Sequence, residues 1–600
     1  AAFDHWDSRK GDPQLHTHVT VANRVQGPDG RWRTLDSATL HQAAVAYSET
    51  YDLLLADEIT RRTGLTWDRR ERRAGSNRRV GRELSPVPDA LIAAYSQRSA
   101  DIEAAVDTAI ARVVLRTGRR PDVNSINRIR QHLTLTTRDR KHAPNLAESV
   151  QQWRATAQSV LDRDPVAWVA TVTGQAGPLL FPADLDDVET EAVALCVVDA
   201  VASARPTWTR WNLTAETMRQ LAGRGLQFAT PGDAVKLRDR VVAAAQRLSV
   251  ALTPPELAPI PDALRDADGA SPFSPPEVFT STAVLAAEDQ LLRLGQDRSG
   301  PAVDPDRARR VAGQDLPGRD HALAAEDQRP AAVQIVTSGR VVDVLVGPAG
   351  TGKTTTMAGV RAMWEAEYGP GTVAGLAPSA MAAQVLSADL GIVTDNTAQW
   401  IAQQDQQLRR EHRIRLLTDA ITTADHPARI QGLRAALDRV QAENDRWRLR
   451  PGQLLIVDEA GMTGTFTLAR LAGQAADVGA KLLLVGDPCQ LSPVETGGAF
   501  GLLCARHPDP PNLTQVRRFT DPDGTRRTWE EHAADRLRVG DPTALTDYAD
   551  HDRVHSGELD EMTDAAYTAW STDVRAGRSS VLIAADNDTV TELNRRARAD

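Results

Sequence analysis

The chain has 600 residues, 41% hydrophobic and 25% charged, the balance of a soluble globular protein with several domains. No apolar run reaches the roughly 18 residues of a membrane span, and Cys196, Cys489 and Cys504 are too few and too scattered for a disulfide or zinc framework, which suits a reducing cytoplasm. The net charge of −10 is uneven: residues 1–150 carry 24 Lys and Arg against 19 Asp and Glu, a balance of +5 that leaves −15 for the remainder.

The first informative element runs from Leu15 to Asn23. Its alternation predicts a strand with His16 and His18 on one face and Leu15, Thr17, Val19 and Val21 on the other. Two imidazoles two residues apart can ligate one ion, and His5, eleven residues upstream, can fold over as a third ligand. Three neutral histidines suit a divalent cation acting as a Lewis acid on a phosphoryl oxygen. Composition alone leaves a second reading open, in which the histidines are exposed and do nothing. Tyr47 and Tyr51, four apart on an amphipathic helical pattern, are expected to have a core or packing role rather than act as nucleophiles. Nine arginines fall between Arg61 and Arg82; they can track phosphates or form a solvated loop.

Helical periodicity covers Ala100 to Val114 and Leu146 to Leu161, and Asn212 or Thr214 is a candidate cap for a helix running through Leu221. A helical domain over 145–250 follows, in which Trp208 and Trp211 are expected to be core residues rather than base-stacking ones. Seven prolines between Pro254 and Pro276 mark a linker within 251–320.

Beyond it, the apolar run Val341 to Val346 enters GPAGTGKT, Gly347 to Thr354, and a helical segment follows. Strand, glycine-rich turn and helix in this order predict a phosphate-binding loop: Gly347, Gly350 and Gly352 let backbone N–H groups face a triphosphate, Lys353 reaches the β/γ-phosphates, and Thr354 holds Mg²⁺. Gln399 to Arg448 reads as a charged helical insertion, either a DNA grip or a solvated hairpin. Leu454 to Val457 is a second buried strand ending in Asp458 and Glu459, a carboxylate for the Mg²⁺ and a base for the attacking water. A third run, Lys481 to Val485, leads to Gln490, which can bond the γ-phosphate and register its loss. Three such strands describe a doubly wound α/β core with its ligand along the carboxyl edge.

GPAGTGKT, APSAMAAQVL (Ala377 to Leu386), NTAQWI (Asn396 to Ile401), LLIVDEAGM, LVGDPCQLSPV and VRRF (Val516 to Phe519), in this order, resemble the superfamily-1 DNA helicases of the RecD-like branch. That resemblance implies ATP with Mg²⁺ as cofactor, Gln328 on the adenine, and Arg518 as the arginine finger, with Arg517 pairing an acidic residue or touching DNA. It further implies tandem RecA-like domains, one over 321–505 carrying the insertion 399–448 and the start of another over 506–600. There, Val581 to Val590 resembles a strand, and the motifs that complete the ATP site would lie further on. ATP hydrolysis and unwinding in this piece are therefore expected to be impaired.

HWDSRKGDPQLHTHVTVANRVQ resembles the metal motif of MobF-type conjugative relaxases, and the likeness continues through YSETYDLLLADEITRRTGLTW, ELSPVPDALIAAYSQRSADIE and LTTRDRK. Residues 1–140 would then be the C-terminal part of an HUH relaxase fold, with His5, His16 and His18 holding Mg²⁺, Mn²⁺ or Zn²⁺ against a scissile phosphate. Relaxases of this kind carry nucleophilic tyrosines well upstream of the histidine strand and a RecD-like helicase downstream. The chain, starting at Ala1, is thus expected to be a piece of a bacterial protein, metal-competent without nicking. Its partners would be single-stranded and duplex plasmid DNA at a transfer origin and a coupling protein or relaxosome components, and its helicase would track 5′ to 3′. Two alternatives stay open: a RecD-like repair helicase with an unrelated N-terminal domain, and a non-catalytic DNA-binding remnant.

Overall fold

The computed structural model describes residues 1–8, 11–27, 29–35, 37–69, 82–97, 106, 145–174, 186–222, 224, 228, 230–253, 277–315, 326–490, 493, 495–516, 518–521, 524–557, 559–578, 580–584, 593–594 and 596–598. The linker prolines, nearly all of Ala100 to Val114 and most of the arginine cluster lie outside these residues. Contacts divide the chain into two compact units that do not follow sequence order. One is Ala1–Val193, Thr214–Val241 and His555–Asp600; the other is Ala194–Leu213 and Val242–Val554. The expected helical stretch 145–250 contributes to both.

In the first unit, β1 (Ala2–Asp7) and β2 (Pro13–Val19) form an antiparallel ribbon in which His5 lies opposite His16 and Phe3 opposite His18. Cross-strand partners share a face, so this register decides which side chains meet. On the other face the Thr17 hydroxyl donates to Asp4 Oδ1 at 2.7 Å. The long helix α1 (Ser37–Thr63) buries Ala43, Ala46, Thr50, Leu53 and Ala56, a stripe three or four residues apart. Tyr47 and Tyr51 fall outside that stripe and are 53% and 63% exposed, so the expected core role is not met. At 100° per residue their positions turn away from the buried line. Arg219 pairs with Glu49 at 2.9 Å, and the Phe228 backbone N–H donates to Asp57 at 2.9 Å, which fastens the 214–241 segment to α1.

The predicted helix Leu146–Leu161 forms, started by Asn145, whose side chain accepts from the Ala147 N–H. Its Trp153 indole donates to the Gly11 carbonyl at 2.6 Å, holding the turn between β1 and β2. Residues 581–584, by contrast, form no strand, and Val581 and Ile583 are exposed. This continuous apolar run finds no ladder partner among the described residues, and a strand is stable only when paired.

The second unit is built on five parallel strands: β3 (Val342–Val346), β4 (Val373–Ala377), β5 (Val393–Asn396), β6 (Leu454–Val457) and β7 (Lys481–Gly486), in the order β5-β4-β6-β7-β3. Leu454 to Val457 and Lys481 to Gly486 are buried throughout, as strands covered by helices on both faces must be. One apolar layer gathers Ile335, Met357, Val360 and Trp364 with Leu454 and Leu483; the other gathers Leu291, Leu468 and Phe500 with Leu455 and Leu482. The predicted insertion forms the helices Gln407–Thr423 and Pro427–Trp447, rooted by Trp447 against Trp400 with ring centres 6.1 Å apart.

Trp208 is buried as expected, its indole donating to the Ser249 hydroxyl at 3.2 Å. The helix after it begins at Arg210, so neither Asn212 nor Thr214 is its cap. Thr209 occupies that place and Asn212 reaches back to accept from the Thr209 N–H at 3.0 Å, the reciprocal half of a capping box.

An ion pair sits inside the sheet. Lys481 is fully buried, its ammonium donating to the Ser338 hydroxyl and the Arg340 carbonyl at 2.8 Å each and to Asp343 Oδ2 at 3.2 Å. Removing one partner of such a pair strands the other charge in a low dielectric. Asp343→Ala should therefore destabilise the second unit by about 3–5 kcal/mol. Adding Lys481→Met should restore most of the loss, read from the midpoint of thermal unfolding, and a double variant no better than Asp343→Ala would contradict this account.

Candidate nucleotide and metal sites

At the carboxyl end of β3 the chain enters the glycine-rich loop. Gly350 and Gly352 have φ of +86° and +84°, which a residue with a Cβ adopts only under strain. Space is equally restrictive. A Cβ on Gly350 would lie 2.7 Å from Cβ of Arg518, and one on Gly352 would lie 2.3 Å from Nε2 of Gln328. Gly347 donates its N–H to the Gly486 carbonyl at 3.1 Å, joining the loop to the end of β7. Lys353 and Thr354 are the first two residues of the helix Lys353–Tyr368, whose N-terminal N–H groups and dipole favour an anion. The Lys353 ammonium donates to the carbonyls of Gly347 at 2.9 Å and Pro348 at 3.4 Å, arching over the loop.

The neighbouring strand tips supply the acids. Asp458 follows β6 directly, its N–H donating to the Leu376 carbonyl at 2.9 Å. Burial pushes its carboxyl above the usual range, and the charges of Glu459 and Asp389 add to the effect. The Glu459 N–H and the Lys353 charge oppose that rise, and a carboxylate and the Thr354 hydroxyl are oxygen donors of the type that suits Mg²⁺. Glu459 has φ +50° and ψ +43°, a left-handed conformation rare for a residue with a side chain and found where function requires it. Gln490 lies half-buried in the loop after β7, its N–H donating to the Asp487 carbonyl at 3.1 Å.

Gln328 and Arg518 both touch the glycine loop itself. Gln328 is buried and its amide donates to the Thr351 carbonyl at 3.3 Å, while Arg518 lays its stem against Gly350. Arg538, which no motif marks, binds Asp487 side-on with Nε to Oδ2 at 2.8 Å and a terminal nitrogen to Oδ1 at 2.6 Å. Burial raises the Asp487 carboxyl, but this guanidinium and the Cys489 N–H outweigh it and hold the group below its usual range. The pair clamps the base of the Gln490 loop. Nothing in the chain pattern links residues 51 apart, so no sequence signal could have found it.

The second site is the imidazole cluster. Ring centres of His5 and His16, His5 and His18, and His16 and His18 stand 5.3, 4.6 and 4.9 Å apart. One ligand atom from each lies within 4.8 Å of the other two. Nitrogens around one ion at Zn–N distances of about 2.1 Å stand roughly 3.4 Å apart, so small side-chain rotations close the set. The His16 Nδ1 lies 2.8 Å from the Gln14 carbonyl. A carbonyl only accepts, so Nδ1 is the donor in this contact and Nε2 is the nitrogen left to face a metal. The three histidines therefore fit a divalent cation.

The TrwC relaxase family matches residues 1–160 and the AAA domain family matches residues 323–559. The conjugal transfer protein TraA of Rhizobium radiobacter is 27% identical over 329 residues, 54% of this chain and 25% of that protein. The RecBCD enzyme subunit RecD of Mycobacterium tuberculosis is 33% identical over 176 residues, 29% of this chain and 28% of that protein. The chain thus spans about a quarter of the curated relatives it matches. Among solved structures, conjugative relaxase TrwC in complex with OriT DNA is 25% identical, covering 26% of this chain and 50% of that one with a TM-score of 0.21. No helix among the described residues is long and apolar enough to cross a membrane.

The cluster geometry makes a direct prediction. His16→Ala combined with His18→Ala should reduce bound Mn²⁺ or Zn²⁺ to background after dialysis, measured by elemental analysis against Lys353→Ala as a control that keeps it. Metal retained at one equivalent by the double variant would put the ligands elsewhere.

Proposed function

The chain joins a TrwC relaxase domain to an AAA domain with RecD-like helicase relatives, and on that footing we propose that it is part of a conjugative relaxase-helicase that processes plasmid DNA for transfer. The observation that carries the reading is the convergence of His5, His16 and His18 on one face of a ribbon, in the same polypeptide as a complete glycine loop and its acidic strand tip.

In the first unit the three imidazoles hold a divalent ion, which when bound supplies a Lewis acid for a phosphodiester oxygen of single-stranded DNA at a transfer origin. His16 is oriented for this by its bond to Gln14, and Trp153 holds the turn that keeps β1 and β2 in register. In the second unit the backbone N–H groups of Gly350 to Thr354 and the Lys353 ammonium bind the phosphates of ATP, with Thr354 and Asp458 as ligands for Mg²⁺. Glu459 accepts a proton from the attacking water, whose oxygen bonds to the γ-phosphorus as the β–γ bridging bond breaks and ADP leaves. Arg518 neutralises charge on the transferring group, and Gln490 responds to its departure. Gln328 recognises the adenine from its place beside Thr351. The motor tracks 5′ to 3′ in the bacterial cytoplasm, and coupling protein and relaxosome components are the partners of the whole protein.

A repair helicase with an unrelated N-terminal domain leaves the imidazole cluster and the match over residues 1–160 without a cause. The test is ATP hydrolysis with and without single-stranded DNA. DNA should stimulate turnover, and Lys353→Ala should lower it by at least about a hundredfold, the scale of losing a phosphate-binding cation. Equal hydrolysis by Lys353→Ala would remove the glycine loop from the reaction.

A further inference from the structure

Asp327 stands at the N-cap of the helix Gln328–Thr337, a position where an aspartate ordinarily accepts from the first N–H groups of its own helix. Here it makes no such bond. Its Oδ2 instead crosses to the segment before Arg518 and accepts the backbone N–H groups of Thr514 at 2.9 Å and Gln515 at 3.1 Å. The other oxygen is buried and has no hydrogen-bond partner among the described residues.

That segment is anchored on either side, with Leu513 fully buried and Val516 buried, and the carboxylate holds the two residues between them. It leaves the sheet after a single parallel bridge between Val346 and Asn512, with Leu513 donating to the Val346 carbonyl at 2.8 Å. From there three residues lead to Val516, whose carbonyl accepts from Arg526 at 3.0 Å, and two more to Arg518, which rests on Gly350. Two charge-assisted bonds from one carboxylate thus fix the backbone three and four residues before the arginine. The same aspartate is bonded through the chain to Gln328, which holds the opposite side of the glycine loop at Thr351.

We propose that Asp327 is a positioning residue for Arg518: it forgoes capping its own helix in order to hold the arginine segment against the glycine loop. The proposal rests on the reading of Arg518 as the group that stabilises the transferring phosphoryl. An arginine that must meet a transient charge contributes in proportion to how little it has to reorganise. Loss of the tether leaves ground-state nucleotide binding in place and weakens the arginine's contribution to the transition state.

The experiment compares the affinity of the 600-residue chain for a fluorescent ADP analogue with and without aluminium fluoride, which mimics the phosphoryl in transit. The native chain should gain at least about tenfold in affinity with fluoride present, the scale of one preorganised donor. Arg518→Ala should lose that gain. Asp327→Ala should lose most of it while binding ADP alone normally, and Asp327→Asn, which keeps an acceptor oxygen, should retain it. Asp327→Ala combined with Arg518→Ala should match Arg518→Ala alone. A full gain in Asp327→Ala overturns the proposal and leaves the arginine's role standing. A full gain in Arg518→Ala, or none in the native chain, overturns the role of the arginine and the proposal with it. Faster amide exchange across 512–518 in Asp327→Ala, with β3 unchanged, should accompany the loss; unchanged exchange there would also count against the tether.

Discussion

The backbone of the glycine loop is the constraint on which the motor half depends. To face phosphates with N–H groups, the chain must turn through positive φ at Gly350 and Gly352, which strains any residue with a Cβ, and at Gly350 the stem of Arg518 also takes up the space. The five parallel strands supply what the loop cannot make for itself, a rigid edge from which its ends emerge at fixed spacing. Gly347 bonds to the end of β7, Asp458 to β4, and the segment before Arg518 to β3, so loop, acid and arginine segment are referred to the same sheet.

The imidazole cluster obeys a different rule. Its three rings meet because antiparallel register pairs His5 with His16 and the pleat then brings His18 to the same side. A slip of one residue would send His16 and His18 to the opposite face. Thr17 on Asp4 and Trp153 on Gly11 oppose that slip from two sides, so residues with no ligand role preserve the site.

Much of this was legible in the chain because it is local. Period two put His16 and His18 together, and the glycine spacing announced the phosphate loop. The buried runs at Leu454 and Lys481 announced covered parallel strands. Where local pattern competed with context, it misled. Tyr47 and Tyr51 share a helical face, but the packing stripe of α1 runs along another. Val581 to Ala584 is a continuous apolar run like that of a buried strand, and it pairs with none among the described residues. Asn212 has the chemistry of a cap and serves one from inside the helix.

The sequence by itself determined the chemical inventory: which residues can bind phosphate, ligate a metal or carry a proton, and which strands and helices bear them. Those properties depend on side-chain type and on neighbours a few residues away. Only the tertiary structure decided that Arg538 clamps Asp487, that Lys481 is neutralised by Asp343 inside the sheet, and that Asp327 spends its carboxylate on a distant backbone. Each of these joins residues dozens to more than a hundred positions apart, and proximity of that kind is set by how the chain packs, for which no periodicity along it provides a sign.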